Sequence, residues 1–123
     1  ESLITKISEK DLIHLISNLI DNAIKYSNNN SEINIKIADN LFIIRDQGIG
    51  ISKANQTRVF ERFYQVDESH GSEGSGLGLS IVKRIITLSG GEIRIESKKG
   101  KGTTFIVELP YEENKVKNKI EIK

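Results

Sequence analysis

Cysteine is absent from the 123 residues, which removes disulfide bonds and cysteine-based zinc sites from consideration. The two histidines, His14 and His70, lie far apart in sequence, and a reducing, intracellular setting fits this composition. No apolar run approaches the roughly 18 residues that span a bilayer, and no signal-peptide pattern opens the chain. A soluble chain with no membrane contact of its own is the expectation. An excess of either charge is also lacking, because eighteen Lys and Arg oppose seventeen Asp and Glu for a net charge of +1. That balance argues against nucleic acid as a partner and requires any anion site to be local. Methionine is missing throughout, and position 1 is Glu1, which suggests a segment of a longer protein. The length suits one domain with a real core and is too short for two.

What is present divides into clear elements. Leu3-Ile4-Thr5-Lys6-Ile7 reads as a first strand, and Ser8-Glu9-Lys10-Asp11 is turn and helix-entry chemistry. From Leu12 to about Tyr26, Leu12, Ile16, Leu19, Ile20 and Ala23 recur at helical spacing until the Asn28-Asn29-Asn30 tract stops the pattern. Glu32 to Ala38 alternates, and Asp39-Asn40 turns into Leu41-Phe42-Ile43-Ile44, which predicts a β-hairpin. A short helix is expected from Ser52 to about Tyr64, then a polar loop over 65–76 of the length usual for lids. Leu77 to Ser89 reads as another helix, ended by Gly90-Gly91. Two last strands, Glu92 to Ser97 and Thr103 to Leu109, flank Lys98-Lys99-Gly100-Lys101-Gly102. The residues after Pro110 are charged and expected to fray, which sets a domain of 1–110 and a tail of 111–123. The inventory predicts a two-layer α/β sandwich, about five strands in a mixed sheet with about three helices on one face.

Four segments carry chemistry. Gly74, Gly76 and Gly78 alternate directly before a helix, where backbone can approach an anion and unpaired N–H groups face it. Alone, such a run is as often a flexible loop. Asn18, Asn22 and Lys25 stand at i, i+4 and i+7 on the first helix and line one stripe. This is also the ordinary composition of a solvated face, although Asn22 could offer a carbonyl oxygen to Mg²⁺. In Asp46-Gln47-Gly48-Ile49-Gly50-Ile51, Asp46 can accept from a base amino group while Gly48 and Gly50 clear room for the ring, and guanine would suit the carboxylate as well as adenine. Val59, Phe60 and Phe63 read first as a packing anchor, and Arg58 and Arg62, four apart, can swing toward phosphate.

Taken in order, Asn18 to Ser27, Asp46-x-Gly48-x-Gly50, Phe60-Glu61-Arg62-Phe63 and Gly74-x-Gly76-Leu77-Gly78-Leu79 resemble the N, G1, F and G2 boxes of the GHKL, or Bergerat, ATP-binding fold. The resemblance is to the catalytic and ATP-binding domain of bacterial sensor histidine kinases and runs from about Leu3 to Pro110. It implies that Asp46 reads adenine, that Gly48, Gly50 and Ile51 shape the base pocket, and that Asn22 holds Mg²⁺ with support from Asn18. Lys25 would face phosphate, Tyr26 would lie against the base, and Thr103 would back Asp46. Gly74, Gly76 and Gly78 would shape the hinge and triphosphate cradle, and Phe60, Leu77 and Leu79 would also belong to the nucleotide site, with Phe60 anchoring one end of the loop.

In the hydrolytic members of that superfamily a glutamate four residues before the metal asparagine activates water, and here Asn18 stands at that position. An amide is no general base, so the resemblance points to a kinase whose phosphoryl group is kept for a protein nucleophile. Gln65 replaces an arginine common after the F-box tyrosine, which leaves the γ-phosphate to Arg58, Arg62 or Lys25. Neither His14-Leu15 nor His70-Gly71 matches a phosphoacceptor, a His followed by an acidic residue. The family implies that this His lies on a separate helical hairpin, that a response regulator acts downstream, and that a cytoplasmic domain like this one belongs to an inner-membrane sensor. A nucleotide-binding module without transfer, a hydrolysing clamp and a serine-directed kinase are the alternatives.

Overall fold

The computed structural model describes residues 2–5, 7–28, 30–61, 78–110 and 118–121. Helix α1 (Glu9–Tyr26) starts three residues earlier than its apolar pattern, because Ser8 caps it by accepting the Asp11 N–H at Oγ, 3.2 Å away. Glu9 and Asp11 in its first turn and Lys25 in its last complement the helix dipole. Leu12, Leu15, Leu19 and Ala23 are its buried stripe, with Ile16 and Ile20 packed beside it. Leu15, fully buried, is the core residue that the periodicity passed over.

Strands β2 (Asn34–Ala38) and β3 (Leu41–Arg45) form the expected hairpin. Asp39 takes a positive φ of 53° at its turn, and the Asn40 side chain donates to Leu109 O at 2.7 Å, which pins the chain at Leu109 to the hairpin. Strands β4 (Glu92–Lys98) and β5 (Gly102–Glu108) complete a sheet of order β2-β3-β5-β4 in which every neighbouring pair is antiparallel. Helix α3 (Gly78–Ser89) packs beside α1 on one face of that sheet and closes with Gly91 N–H on Ile86 O and Gly90 N–H on Thr87 O. Phe42, Ile44, Phe105, Val107 and Leu109 from the sheet meet Leu12, Leu15, Leu19, Val82 and Ile86 from the helices.

The α/β sandwich is as expected, and two details differ. The first strand, β1 (Ser2–Thr5), is not a fifth strand of a mixed sheet. It pairs antiparallel with β6 (Asn118–Glu121), from Ser2 opposite Glu121 to Thr5 opposite Asn118. The tail that charge marked for fraying thus carries a strand, and the alternation of Lys119, Ile120 and Glu121 was its signal. Helix α2 is only Lys53–Gln56, capped by Ser52, where a helix to about Tyr64 was predicted. Thr57 Oγ1 donates to Ala54 O at 3.0 Å at its end, and turns carry the chain on to Glu61. The expected lid over 65–76 lies outside the described residues.

Candidate nucleotide site

Asp46 follows the last residue of β3, where pairing with β5 continues through its N–H on Thr103 O at 2.9 Å. The residue is 4% exposed. Its Oδ1 accepts from Gly48 N–H at 2.9 Å and Thr103 N–H at 3.2 Å, and among the described residues Oδ2 has no partner. Burial pushes the carboxyl above the usual carboxylate range, and the two backbone donors pull it part of the way back. The result is an acceptor in a nearly dry position with one oxygen left for a donor from outside.

The loop after Asp46 is held on both sides. Toward α1, Ile49 N–H donates to Tyr26 O at 3.2 Å and Asn28 Nδ2 donates to Gln47 O at 2.8 Å. A Cβ at Gly48 would stand 1.9 Å from Tyr26 O, so this position is glycine because two backbones touch there. That is a different reason from the ring clearance expected of it. Toward the β4–β5 turn, Gly100 N–H donates to Ile49 O at 2.7 Å, and Gly50, with φ +70°, would place a Cβ 2.1 Å from Lys98 O.

Between these elements lies a narrow slot lined by Asn22, Tyr26, Asp46, Ile49, Gly50, Ile51, Leu79 and Thr103, with about 20 Å³ of free space. Every lining residue except Ile49 is one that the sequence singled out. Ile49 sits between the two glycines, where an apolar residue exposed by the turn was the available signal. Ser97 was also missed, although it continues the inward parity of Ile93 and Ile95 on β4. Its Oγ accepts from Ile51 N–H at 2.7 Å and donates to Gly102 O at 2.9 Å. With that proton committed, Ser97 Oγ accepts from Thr103 Oγ1, 2.8 Å away.

The remaining predicted residues divide. Asn18 comes beside the start of α3, since a Cβ on Gly78 would lie 3.2 Å from its Oδ1, and its Nδ2 donates to His14 O at 2.8 Å. Lys25 Nζ lies 5.2 Å from the Tyr26 ring centroid, a cation on an aromatic face. Arg58 is exposed and its Nε meets Glu61 Oε2 at 3.0 Å. Phe60 packs edge-on to Phe105 with centroids 6.4 Å apart, beside the core and away from the slot lining, as the anchor reading expected. Arg62, Gly74, Gly76 and Leu77 lie outside the described residues.

The donor set suits a nucleotide: a buried carboxylate acceptor, apolar walls at Ile49, Ile51 and Leu79, and an aromatic ring at Tyr26. The width does not, because about 20 Å³ holds a water and not a base. Entry of a base therefore requires the slot to widen. A hard cation also fits the available chemistry. Asn22 has no hydrogen bond from its side chain among the described residues, and no group of three or more His, Cys, Asp or Glu gathers there, so an ion would rest on amide oxygen and on oxygens from the ligand.

A sandwich of this topology with its slot between helix layer and sheet edge defines a class, and the comparisons agree on which. The family described as histidine kinase-, DNA gyrase B-, and HSP90-like ATPase matches residues 7–113, and this chain belongs to it. Among curated proteins, the chain is similar to sensor protein SrrB of Staphylococcus aureus, 45% identical over 105 residues. The match takes in 80% of this chain and 18% of SrrB, so the chain spans under a fifth of that relative. Among solved structures it is similar to a mycobacterial sensor histidine kinase, MprB, with a TM-score of 0.74, 29% identity, and 88% of this chain and 79% of that one covered. The catalytic domain of histidine kinase ThkA follows with a TM-score of 0.68, 27% identity and coverages of 86% and 70%. Full-length ShkA in complex with AMPPNP gives 0.67, 26% identity and coverages of 88% and 24%.

Proposed function

We propose that residues 1–110 are the ATP-binding catalytic domain of a two-component sensor histidine kinase. Its reaction would move the γ-phosphoryl of Mg-ATP to a His on a helical hairpin elsewhere in a membrane-anchored parent, with a response regulator downstream. The carrying observation is Asp46: a buried carboxylate with Oδ1 satisfied by backbone and Oδ2 open, in a slot walled by apolar side chains. Oδ2 accepts the adenine amino group, Tyr26 and Leu79 flank the ring, and Asn22, one helical turn before Tyr26, holds the cation. The ion supplies charge neutralisation on the phosphate oxygens when bound. Asn18 stands where a hydrolase needs a base. Its amide is tied back to His14 O and leaves water unactivated, so the phosphoryl group survives for a histidine. AMPPNP bound to ShkA is in keeping with this reading. No helix among the described residues is long and apolar enough to cross a membrane, so the anchor would belong to another part of the parent.

One observation favours a second reading, a nucleotide-binding module without transfer. The two described cations expected to face phosphate are engaged elsewhere, Lys25 on the Tyr26 ring and Arg58 with Glu61. A calorimetric titration with a non-hydrolysable ATP analogue and its GTP equivalent, with and without Mg²⁺, tests the shared part. Adenine-selective binding that is lost in Asp46→Asn supports both readings, and no binding defeats both. Label passing to a rebuilt hairpin, labile in acid, then selects the kinase.

A further inference from the structure

The basic turn after β4 is not used by the nucleotide reading. On the sheet face turned from the helices, Arg45 stands opposite Thr104, and Thr104 opposite Glu96. These three, with Lys98, Lys101, Gly102 and the far sides of Asp46, Ser97 and Thr103, line an open depression of about 380 Å³. Among the described residues, none of Arg45, Lys98 or Lys101 makes an ion pair or side-chain hydrogen bond. Three cations around one hollow, set against Glu96 on the same wall and the largely buried Asp46, leave a local excess of positive charge in a chain whose net charge is only +1.

The hollow backs directly onto the slot. Ser97 and Thr103 line it, and their hydroxyls are joined to each other, with Ser97 also holding Ile51 N–H on the slot side. Thr103 N–H binds Asp46 Oδ1. The turn itself carries Gly100 N–H onto Ile49 O. A ligand that drew Lys98 and Lys101 together would therefore move the same backbone that shapes the base end of the slot.

We propose that this depression is a second, separate anion site, for a small phosphate-class molecule of at least two negative charges, and that its occupancy is coupled to nucleotide affinity. Arg45 provides a planar fork for phosphate oxygens and the two lysines provide point charges. The size of the hollow, about 380 Å³, suits a compact ligand. Coupling is reciprocal, so a nucleotide analogue changes affinity at the hollow by the factor that the anion changes nucleotide affinity.

The test is titration of the ¹⁵N-labelled chain with inorganic pyrophosphate in the absence of Mg²⁺. Amide shifts at Arg45, Lys98, Gly102 and Thr104 should saturate below about 10 mM and weaken with added salt. Arg45→Gln with Lys101→Gln should raise the dissociation constant about 100-fold, each lost charge contact being of the order of a tenfold step. Lys101→Gln alone should give an intermediate value, which guards against a double variant that fails to fold. Asn22→Ala should leave these shifts in place, which separates this site from the nucleotide slot, since Asn22 lines the slot and not the hollow. Failure to saturate, or shifts confined to Asn22, Tyr26 and Leu79 and indifferent to Lys101→Gln, would overturn the proposal.

Discussion

The two ends of the slot are built on different plans. At the base end, Asp46, Thr103, Ser97 and the loop over 46–51 are tied by backbone and hydroxyl hydrogen bonds into the sheet, so that they move together and not singly. At the phosphate end, the Asn22 side chain has no hydrogen bond among the described residues, Lys25 rests on Tyr26, and Arg58 is exposed and paired with its neighbour Glu61. The base end is set by folding, whereas the phosphate end is arranged by what binds. Substitutions at the first should therefore cost stability or specificity, and those of Lys25 and Arg58 at the second should be nearly silent until phosphate is transferred.

The largest effect should come from closing the backbone contact at Gly48. A Cβ there meets Tyr26 O at 1.9 Å, and backbone cannot swing aside as a side chain can. Gly48→Val should destabilise the chain by about 3 kcal/mol, the upper range for overpacking, read by urea unfolding. A change within error would mean that the loop is not clamped and that the contrast between the two ends is false.

Asp46→Asn sharpens the comparison by separating binding from folding. Asparagine keeps an oxygen for Gly48 N–H and Thr103 N–H but presents no charged acceptor to the base. Adenine affinity should fall by about 10- to 100-fold, from a charged hydrogen bond worth about 1.5–3 kcal/mol. Stability should move the other way. Because burial raises the carboxyl, the folded chain holds its proton at pH values where the unfolded chain has released it. Stability from this group is complete below the unfolded value and is lost as pH rises through the folded one. At neutral pH Asp46→Asn should thus unfold no more easily than the parent, and the gap between them should close on acidification through the carboxylate range. A variant that is less stable at neutral pH than in acid, relative to the parent, would contradict the desolvation argument.

How much of this was legible depends on range. Helices α1 and α3 were read from period alone, since Leu12, Leu19 and Ala23 report their own burial within a few residues, and the hairpin was read from alternation and its turn, although Ile35 is 43% exposed and only Ile37 packs against the core. The slot was legible because its residues sit in short motifs. Pairing of β1 with β6 was not, because strands over a hundred residues apart carry no mark of each other and the charge of the tail concealed its alternation. The work done by Gly48 was equally hidden, since the contact that demands glycine is with Tyr26 on another element. Ser97 escaped for the same reason: its three partners lie at Ile51, Gly102 and Thr103. Ser97→Ala should cost about 1–3 kcal/mol by leaving Ile51 N–H without its acceptor and should weaken nucleotide binding several-fold. If binding weakens with no loss of stability, Ser97 acts on the slot rather than on the sheet.

The smallest stability effects should come from Lys25→Gln and Arg58→Gln. The Arg58 pair with Glu61 is solvent-exposed, and such pairs contribute about 0–1 kcal/mol. Each variant should unfold within about 0.5 kcal/mol of the parent, as surface changes generally do, and should bind the diphosphate as well as the parent does. The informative readout is transfer to a rebuilt hairpin. A cation that leaves its resting partner to meet the γ-phosphate should lose transfer rate with little change in diphosphate affinity, because its contact forms only with the group being moved. If neither variant slows transfer, the cation must come from outside the described residues, with Arg62 the remaining one named by the sequence. If both lose diphosphate binding, the phosphate end is as preorganised as the base end and the distinction between them fails.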